Sequence, residues 1–355
     1  MLIFIDKKTG FFLALSILNL IFSHLEKAMK YLVTGGCGFI GSHLCDALIE
    51  LGHDVTVLDN LSTGFRKNLS EKAELIVADV SDRAAVSKAM EDKDGCFHLA
   101  AIASVEQSNI DWAGTHEVNQ TGSINVFNAA RANQGRDAIP VVYASSAAVY
   151  GDNATLPLSE KASPTPISAY GADKLGSELH ARIAWINHKV PTIGMRFFNV
   201  YGPRQNPKSP YSGVISIFVD KILAQESVTI YGNGDQTRDF VYVGDVVRHL
   251  VRSMSRATEN AEIYNVCTGQ STSILQLAKT LFSVSGTTPQ INFKAARSGD
   301  IFTSLGQPKK AQTGLNIEAK VELGKGLKMT VSALAIESRE KEVLAAQELK
   351  QKEAS

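Results

Sequence analysis

The chain has 355 residues, with 36 acidic and 36 basic side chains and 44% apolar residues. That composition is globular and long enough for one large domain and a smaller one. A net charge of zero gives no case for a nucleic-acid partner or an anionic membrane surface, so any anion-binding residues must be local.

Residues 1–28 read as an extension outside the fold. Phe11 to Phe22 is apolar and follows Lys7 and Lys8, but is shorter than the roughly 20 residues a membrane span needs. It resembles the apolar part of a signal peptide, yet no small-x-small cleavage site follows. A membrane anchor is the alternative; without one, the protein is expected in the cytoplasm. The four cysteines, Cys37, Cys45, Cys96 and Cys267, lack metal-ligand spacing and read as reduced thiols.

The run Lys30 to Val33 predicts the first strand. It leads into Thr34-Gly35-Gly36-Cys37-Gly38-Phe39-Ile40-Gly41 and then a helix over Ser42 to Leu51. Gly35 permits a tight turn, Gly38 lets backbone N–H groups approach a pyrophosphate, and Gly41 lets the helix pack close to the strand. The helix N-terminus adds free N–H groups and a positive dipole end. A second strand, Val55 to Leu58, ends in Asp59, roughly 20 residues on, where an acidic residue binds a ribose 2′-OH. With no Arg beside it, Asp59 favours NAD over NADP, whose 2′-phosphate would meet a like charge. A turn that holds no nucleotide is the plainer alternative.

Further strands are predicted at 74–78, 95–99, 140–145 and 191–196, with helices near 82–91, 115–134 and 168–188. The alternation predicts an α/β fold, a Rossmann-type doubly wound parallel sheet, with an NAD-binding domain over 29–196. Asp79 and Val80 end the third strand, where a carboxylate and backbone can hold adenine. His98-Leu99-Ala100-Ala101 ends the fourth, where small residues let a cofactor lie close. Beyond residue 197 the chain turns often, as at Tyr201-Gly202-Pro203 and Tyr231 to Asp235. This predicts a smaller C-terminal substrate-binding lobe over 197–330, with Phe240 to Leu250 returning to the first domain. Residues 331–355 read as a charged helix or tail.

Tyr170 and Lys174 stand at i, i+4 on a predicted helix and so share one face. A free phenol titrates near 10. An adjacent ammonium and an oxidised nicotinamide would favour the phenolate and lower that value. In isolation such a pair is an ordinary surface contact. The serines Ser145 and Ser146 end the strand Val141 to Ala144, where a hydroxyl can bond a substrate hydroxyl and relay its proton to Tyr170. Turn capping is the bland alternative for them.

Together these segments resemble the extended short-chain dehydrogenase/reductases acting on nucleotide sugars, and within them the UDP-hexose 4-epimerases. The resemblance covers about residues 30–330. It adds Asn60, Ser62, Thr63 and Gly64 after Asp59, the run Arg196 to Arg204, Arg238 to Val243, and Arg297-Ser298-Gly299-Asp300. It implies NAD as cofactor, held by the glycine turn, the segments 59–64, 79–80 and 99–101, and Tyr170 with Lys174. It implies Ser146 and Tyr170 as the proton-handling pair, assisted by Lys174. It further implies that Asn199, Arg238, Arg297 and Asp300 bind the nucleotide diphosphate, its phosphates and its ribose. Ser145, Ser104 and Ser304 are expected at the sugar, the last two as small residues that admit an N-acetyl group.

The reaction implied is C4 epimerisation of UDP-GlcNAc/UDP-GalNAc, with UDP-Glc/UDP-Gal also possible, through a 4-keto intermediate. Ala147-Ala148 follow the catalytic serine where sugar-nucleotide dehydratases place an acid, which argues against water elimination. Asn199, where glucuronate epimerases typically carry Thr, lowers the case for UDP-glucuronate. A 4-keto reductase and an NAD-binding regulatory protein are the remaining alternatives. The resemblance also implies a homodimer through helices that include 115–134 and 168–188.

Overall fold

The computed structural model describes residues 28–133, 135–207, 209, 212–257, 260–288, 290–296 and 301–353. The predicted extension and its apolar run lie outside them, apart from Ala28. Among the described residues, no helix is long and apolar enough to cross a membrane.

Fourteen strands follow in chain order: β1 Lys30–Thr34, β2 Asp54–Asp59, β3 Glu74–Val77, β4 Gly95–His98, β5 Val141–Ser146, β6 Thr192–Phe197, β7 Asn199–Tyr201, β8 Val228–Tyr231, β9 Thr237–Arg238, β10 Phe240–Tyr242, β11 Ala261–Val266, β12 Thr272–Ser273, β13 Ile291–Lys294 and β14 Thr303–Ser304. Seven of them form one sheet in the order β11-β6-β5-β4-β1-β2-β3. All its pairings are parallel. The chain runs outward from β1 to β3, then returns to β4 on the other side of β1. That reversal opens a crevice at the carboxyl ends of β1 and β4, where ligands bind in such sheets.

Leu32, Val33, Val141 and Val142 are fully buried because helices cover both faces of the sheet. On one face lie the helices Phe39–Glu50 and Val243–Met254, whose Leu44, Leu48, Val246 and Leu250 pack with Val33, Val57 and Val142. On the other lie Gly122–Ala129 and Ala169–His188, whose Val126, Phe127, Ala181 and Ala184 pack with Leu32, Leu58 and Val141. The Rossmann-type α/β fold expected from the alternation is therefore present.

β11 is not among the predicted strands. It is an edge strand whose first half is only partly buried, and Glu262 and Asn265 interrupt its apolar run. Asn265 is nevertheless buried, because Tyr150 donates to it at 2.7 Å and it donates to the Leu158 carbonyl at 2.8 Å.

The smaller sheets pair β10 with β7, β12 with β9 and β14, and β13 with β8. A second core holds this part together, with Ile215, Phe218, Val219, Leu277 and Leu281 at its centre. Leu327, Val331 and Leu334 join that core, so the final helix Leu323–Glu353 is anchored by its first turns. Residues 331–353 of the stretch read as a charged helix or tail continue that helix.

Candidate active site

A cavity of about 550 Å³ opens at the carboxyl ends of the central strands. Its wall carries Gly35, Gly38, Phe39, Ile40, Gly41, Asp59, Asn60, Ser62, Thr63, Gly64, Asp79, Val80, Leu99, Ala100, Ala101, Tyr170 and Lys174. Every residue proposed for the cofactor thus borders one space.

The glycines explain why. A Cβ on Gly41 would stand 2.1 Å from the Gly35 carbonyl oxygen, and one on Gly35, at φ +72°, would meet the Ala100 backbone at 2.7 Å. Helix, turn and the β4 exit are therefore in backbone contact, which no side chain would permit. Gly38 is the N-cap of the helix Phe39–Glu50, so the first helical N–H groups have no partner within the helix and face the cavity.

Asp59 is buried, with Oδ1 accepting from the Leu61 N–H at 2.8 Å and Oδ2 from the Cys37 N–H at 2.9 Å. It braces the turn against β2, and a carboxylate retains lone pairs for ribose hydroxyls. Asn60 donates to Asp79 at 2.6 Å. Burial raises the Asp79 pKa, but hydrogen bonds from Ser81 and Asn60 outweigh it, and the carboxyl stays below its usual range.

His98 fixes the other wall. Ser123 gives its proton to the Asn119 carbonyl at 2.6 Å, so its oxygen accepts from His98 Nε2 at 3.1 Å. His98 Nδ1 then accepts from Thr34 at 2.7 Å, leaving Thr34 Oγ1 to accept the Ala100 N–H at 3.2 Å. Burial, and then the Lys174 ammonium, push the His98 pKa down to about 3, so the ring is neutral. A π-helical turn at Glu117–Thr121 presents Asn119, which accepts from the Ile102 N–H at 2.8 Å and donates to the Ile102 carbonyl at 3.1 Å.

Ser146 ends β5, and Tyr170 lies in the first turn of Ala169–His188, capped by Ser168. Lys174 Nζ donates to the Ala144 carbonyl at 2.9 Å and lies 5.9 Å from the centre of the Tyr170 ring. Burial raises the Tyr170 pKa above 10, and a hydrogen bond with Ser146 pulls it partly back. Burial lowers Lys174 to about 8, against the neighbouring Asp173 carboxylate. The expected lowering of Tyr170 is therefore absent from the protein alone, where burial is the larger influence.

The expected sugar and nucleotide contacts are less well gathered. Asn199 is on the cavity wall. Ser145 borders the cavity, but its hydroxyl donates to buried Glu178 at 2.5 Å. Its proton is thereby committed to the interior side of the strand. Ser104 is buried and caps the helix Val105–Ile110 through the Gln107 N–H at 3.0 Å, and the neighbouring wall residue is Ala103. Arg238 and Ser304 face each other in register on β9 and β14, off the described wall. Arg238 donates to the Thr237 carbonyl at 2.8 Å. Arg297 and Asp300 lie outside the described residues.

Two groups were missed from sequence. Glu178 takes a two-pronged hydrogen bond from Arg196, at 2.8 and 2.7 Å, and ties the helix Ala169–His188 to the ends of β5 and β6. It stands one turn beyond Lys174, a spacing that could have revealed it. The segment after Pro203 supplies Arg204, Gln205, Asn206, Ser209, Ser212 and Gly213 to the cavity wall. It reads only as turn-rich in sequence, since irregular backbone carries no periodic signal.

The profile of the NAD dependent epimerase/dehydratase family matches residues 31–267. A putative UDP-glucose 4-epimerase of Methanocaldococcus jannaschii is 37% identical over 303 residues, covering 85% of this chain and 97% of that protein. The structure of a UDP-N-acetylglucosamine 4-epimerase from Methanobrevibacter ruminantium, in complex with UDP-N-acetylmuramic acid, superposes with a TM-score of 0.83 at 35% identity, covering 88% of this chain and 100% of that one. A Thermus thermophilus UDP-glucose 4-epimerase in complex with NAD gives 0.79 at 32% identity, covering 86% and 98%. The matched stretch runs from β1 to the end of β11, the glycine turn and the helix Ala169–His188 included, and the chain belongs to the NAD dependent epimerase/dehydratase family.

Proposed function

We propose that the protein epimerises a UDP-hexose at C4, acting on UDP-GlcNAc/UDP-GalNAc and also on UDP-Glc/UDP-Gal. The carrying observation is that Ser146, Tyr170 and Lys174 meet in the same cavity as the glycine turn and Asp59. The glycine contacts and the free helix N-terminus fit a dinucleotide pyrophosphate, and Asp59 fits the adenosine ribose. When bound, NAD supplies a reversible acceptor for the C4 hydride.

The chain's own residues manage the proton and the pose. Tyr170, as phenolate, takes the proton of the 4-hydroxyl, and Ser146 shares it through their hydrogen bond. Lys174 holds its charge beneath the ring. The flat 4-keto sugar can then turn over while its nucleotide end stays gripped by Asn199, Arg238, Arg297 and Asp300. A guanidinium suits that grip because it matches phosphate oxygens in pairs.

Two features narrow the reaction. The turn Ala147–Tyr150 after Ser146 offers no carboxylate to protonate a leaving hydroxyl, which disfavours a dehydratase. Among the described residues of the cavity wall the cations are Lys174 and Arg204. Lys174 is bonded to Ala144 and Arg204 is paired with Asp46, so a sugar carboxylate finds no committed partner there. That favours a neutral hexose over UDP-glucuronate.

A homodimer belongs to the same proposal. Leu179, Ile183 and Ile186 form an exposed stripe on Ala169–His188, and Trp112 is exposed at the start of the helical stretch packed on it. Light scattering reads the mass directly, and a monomer at working concentration would reject the dimer.

The deciding experiment incubates the protein with UDP-Glc, UDP-GlcNAc or UDP-GlcA, without added cofactor, and resolves products by NMR. Conversion of the first two is expected. Conversion of UDP-GlcA alone would overturn the sugar assignment; in a parallel reaction with added NAD(P)H, stoichiometric loss of its absorbance would replace the epimerase with a reductase.

A further inference from the structure

The helix Phe39–Glu50 begins at the glycine turn, yet its outer side holds a segment from the other end of the cavity. His43 Nε2 donates to the Pro203 carbonyl at 3.0 Å. One turn further on, Asp46 Oδ2 lies 2.8 Å from Arg204 Nη1, an ion pair whose N–H points off the line to the oxygen. Arg204 is held at φ +65°, a left-handed conformation that a non-glycine residue adopts at a cost. An arginine kept there needs restraint, and both contacts supply it from one helix.

The residues just beyond Arg204 matter for binding. Gln205 Oε1 is buried with no partner, while its Nε2 donates weakly to the Val200 carbonyl at 3.4 Å. Ser212 donates to the Asn206 and Ser209 carbonyls, so the segment is bonded to itself. Its described residues are thus internally ordered and joined to the cofactor helix through Pro203 and Arg204.

We propose that Asp46 and His43 form a clasp on Arg204 and Pro203, through which the cofactor helix sets the position of the segment that closes the nucleotide-sugar end of the cavity. Arg204 is then a positioning residue: it acts through the segment it holds. The proposal rests on the nucleotide-sugar reading of the cavity. Both ion-pair partners are about one-third exposed, so the pair is worth little as stability. Its effect falls on where Gln205 and Asn206 stand.

The test is a double-mutant cycle read by UDP binding in calorimetry, with NAD content and turnover of UDP-GlcNAc and UDP-Glc recorded beside it. Asp46→Asn and Arg204→Met are each expected to weaken UDP binding by about fivefold, the size of a partly exposed ion pair. They should raise KM more than they lower kcat and leave NAD content unchanged. The double variant should be no worse than either single one. Arg204→Lys, which keeps the charge, should recover part of the loss. If Arg204→Met weakens UDP while Asp46→Asn is silent, Arg204 touches the ligand itself and the clasp is wrong. Additive losses, or no loss from either variant, also overturn it. Wild-type protein that binds no UDP would overturn the nucleotide-sugar reading itself, which keeps the two failures apart.

Discussion

The cavity has two halves, and they are built differently. At the dinucleotide half, contiguous backbone does the work. The turn from Gly35 to Gly41, the Asp59 carboxylate and the β4 exit hold one another through main-chain contacts, with Asp59 accepting two backbone N–H groups. At the proposed sugar half, the wall is drawn from the β7 residue Asn199 and the irregular segment after Pro203. Arg238, off that wall, sits on a strand that pairs with residues 272–273 on one side and 303–304 on the other. The first half has little freedom to vary without losing its ligand. The second can exchange side chains one at a time, which is where members of one fold come to differ in substrate.

That contrast can be broken by four measurements, taken from the largest expected effect. Tyr170→Phe should lower turnover by about 10²–10⁴-fold while NAD stays bound. Near-normal turnover would remove the proposed base. Gly41→Ala puts a methyl 2.1 Å from the Gly35 oxygen and should strip most NAD from the purified protein, as read by absorbance after denaturation. Retained NAD would mean the turn can open, and the rigid half is not rigid. Arg238→Ala should raise KM roughly tenfold to a hundredfold, the scale of a lost charged hydrogen bond, with NAD content intact. An unchanged KM would take Arg238 out of the nucleotide grip.

The smallest effect concerns pH. In the unfolded chain His98 takes a proton near 6.5, whereas in the fold it does so at about 3. Between those values the unfolded state binds more protons, so stability is full above the first and falls as pH drops toward the second. Thermal melting should track that slope in the wild type and less steeply in His98→Gln. Parallel slopes would show that the ring is not the buried neutral group at this wall.

Much of the first half was legible because its chemistry lies in consecutive residues. Gly35 to Gly41 and Asp59 sit on a strand, a turn and a second strand, and each has a local reason for its residue type. The second half was not legible in the same way. Ser104 is the right size for a sugar pocket, but a helix starts beside it and takes its hydroxyl as a cap. Ser145 adjoins Ser146, the proposed proton-handling serine, but strand alternation turns its side chain inward to Glu178. Gln205 and Asn206 reach the wall through irregular backbone with no period to read. The edge strand β11 was hidden by Glu262 and Asn265, whose partners lie far away in sequence.

Tyr170, Lys174 and Glu178 stand at four-residue steps along a single helix, the first toward the reacting centre and the last locked to Arg196 and Ser145. This stretch therefore acts as a ruler. A substitution at an outward position between them leaves its marks in place, whereas one inserted residue would rotate everything beyond it by about 100°. The phenol and the carboxylate could no longer both reach their stations. Libraries built on this scaffold should vary Ala172, the exposed position within 171–177, and never change the length.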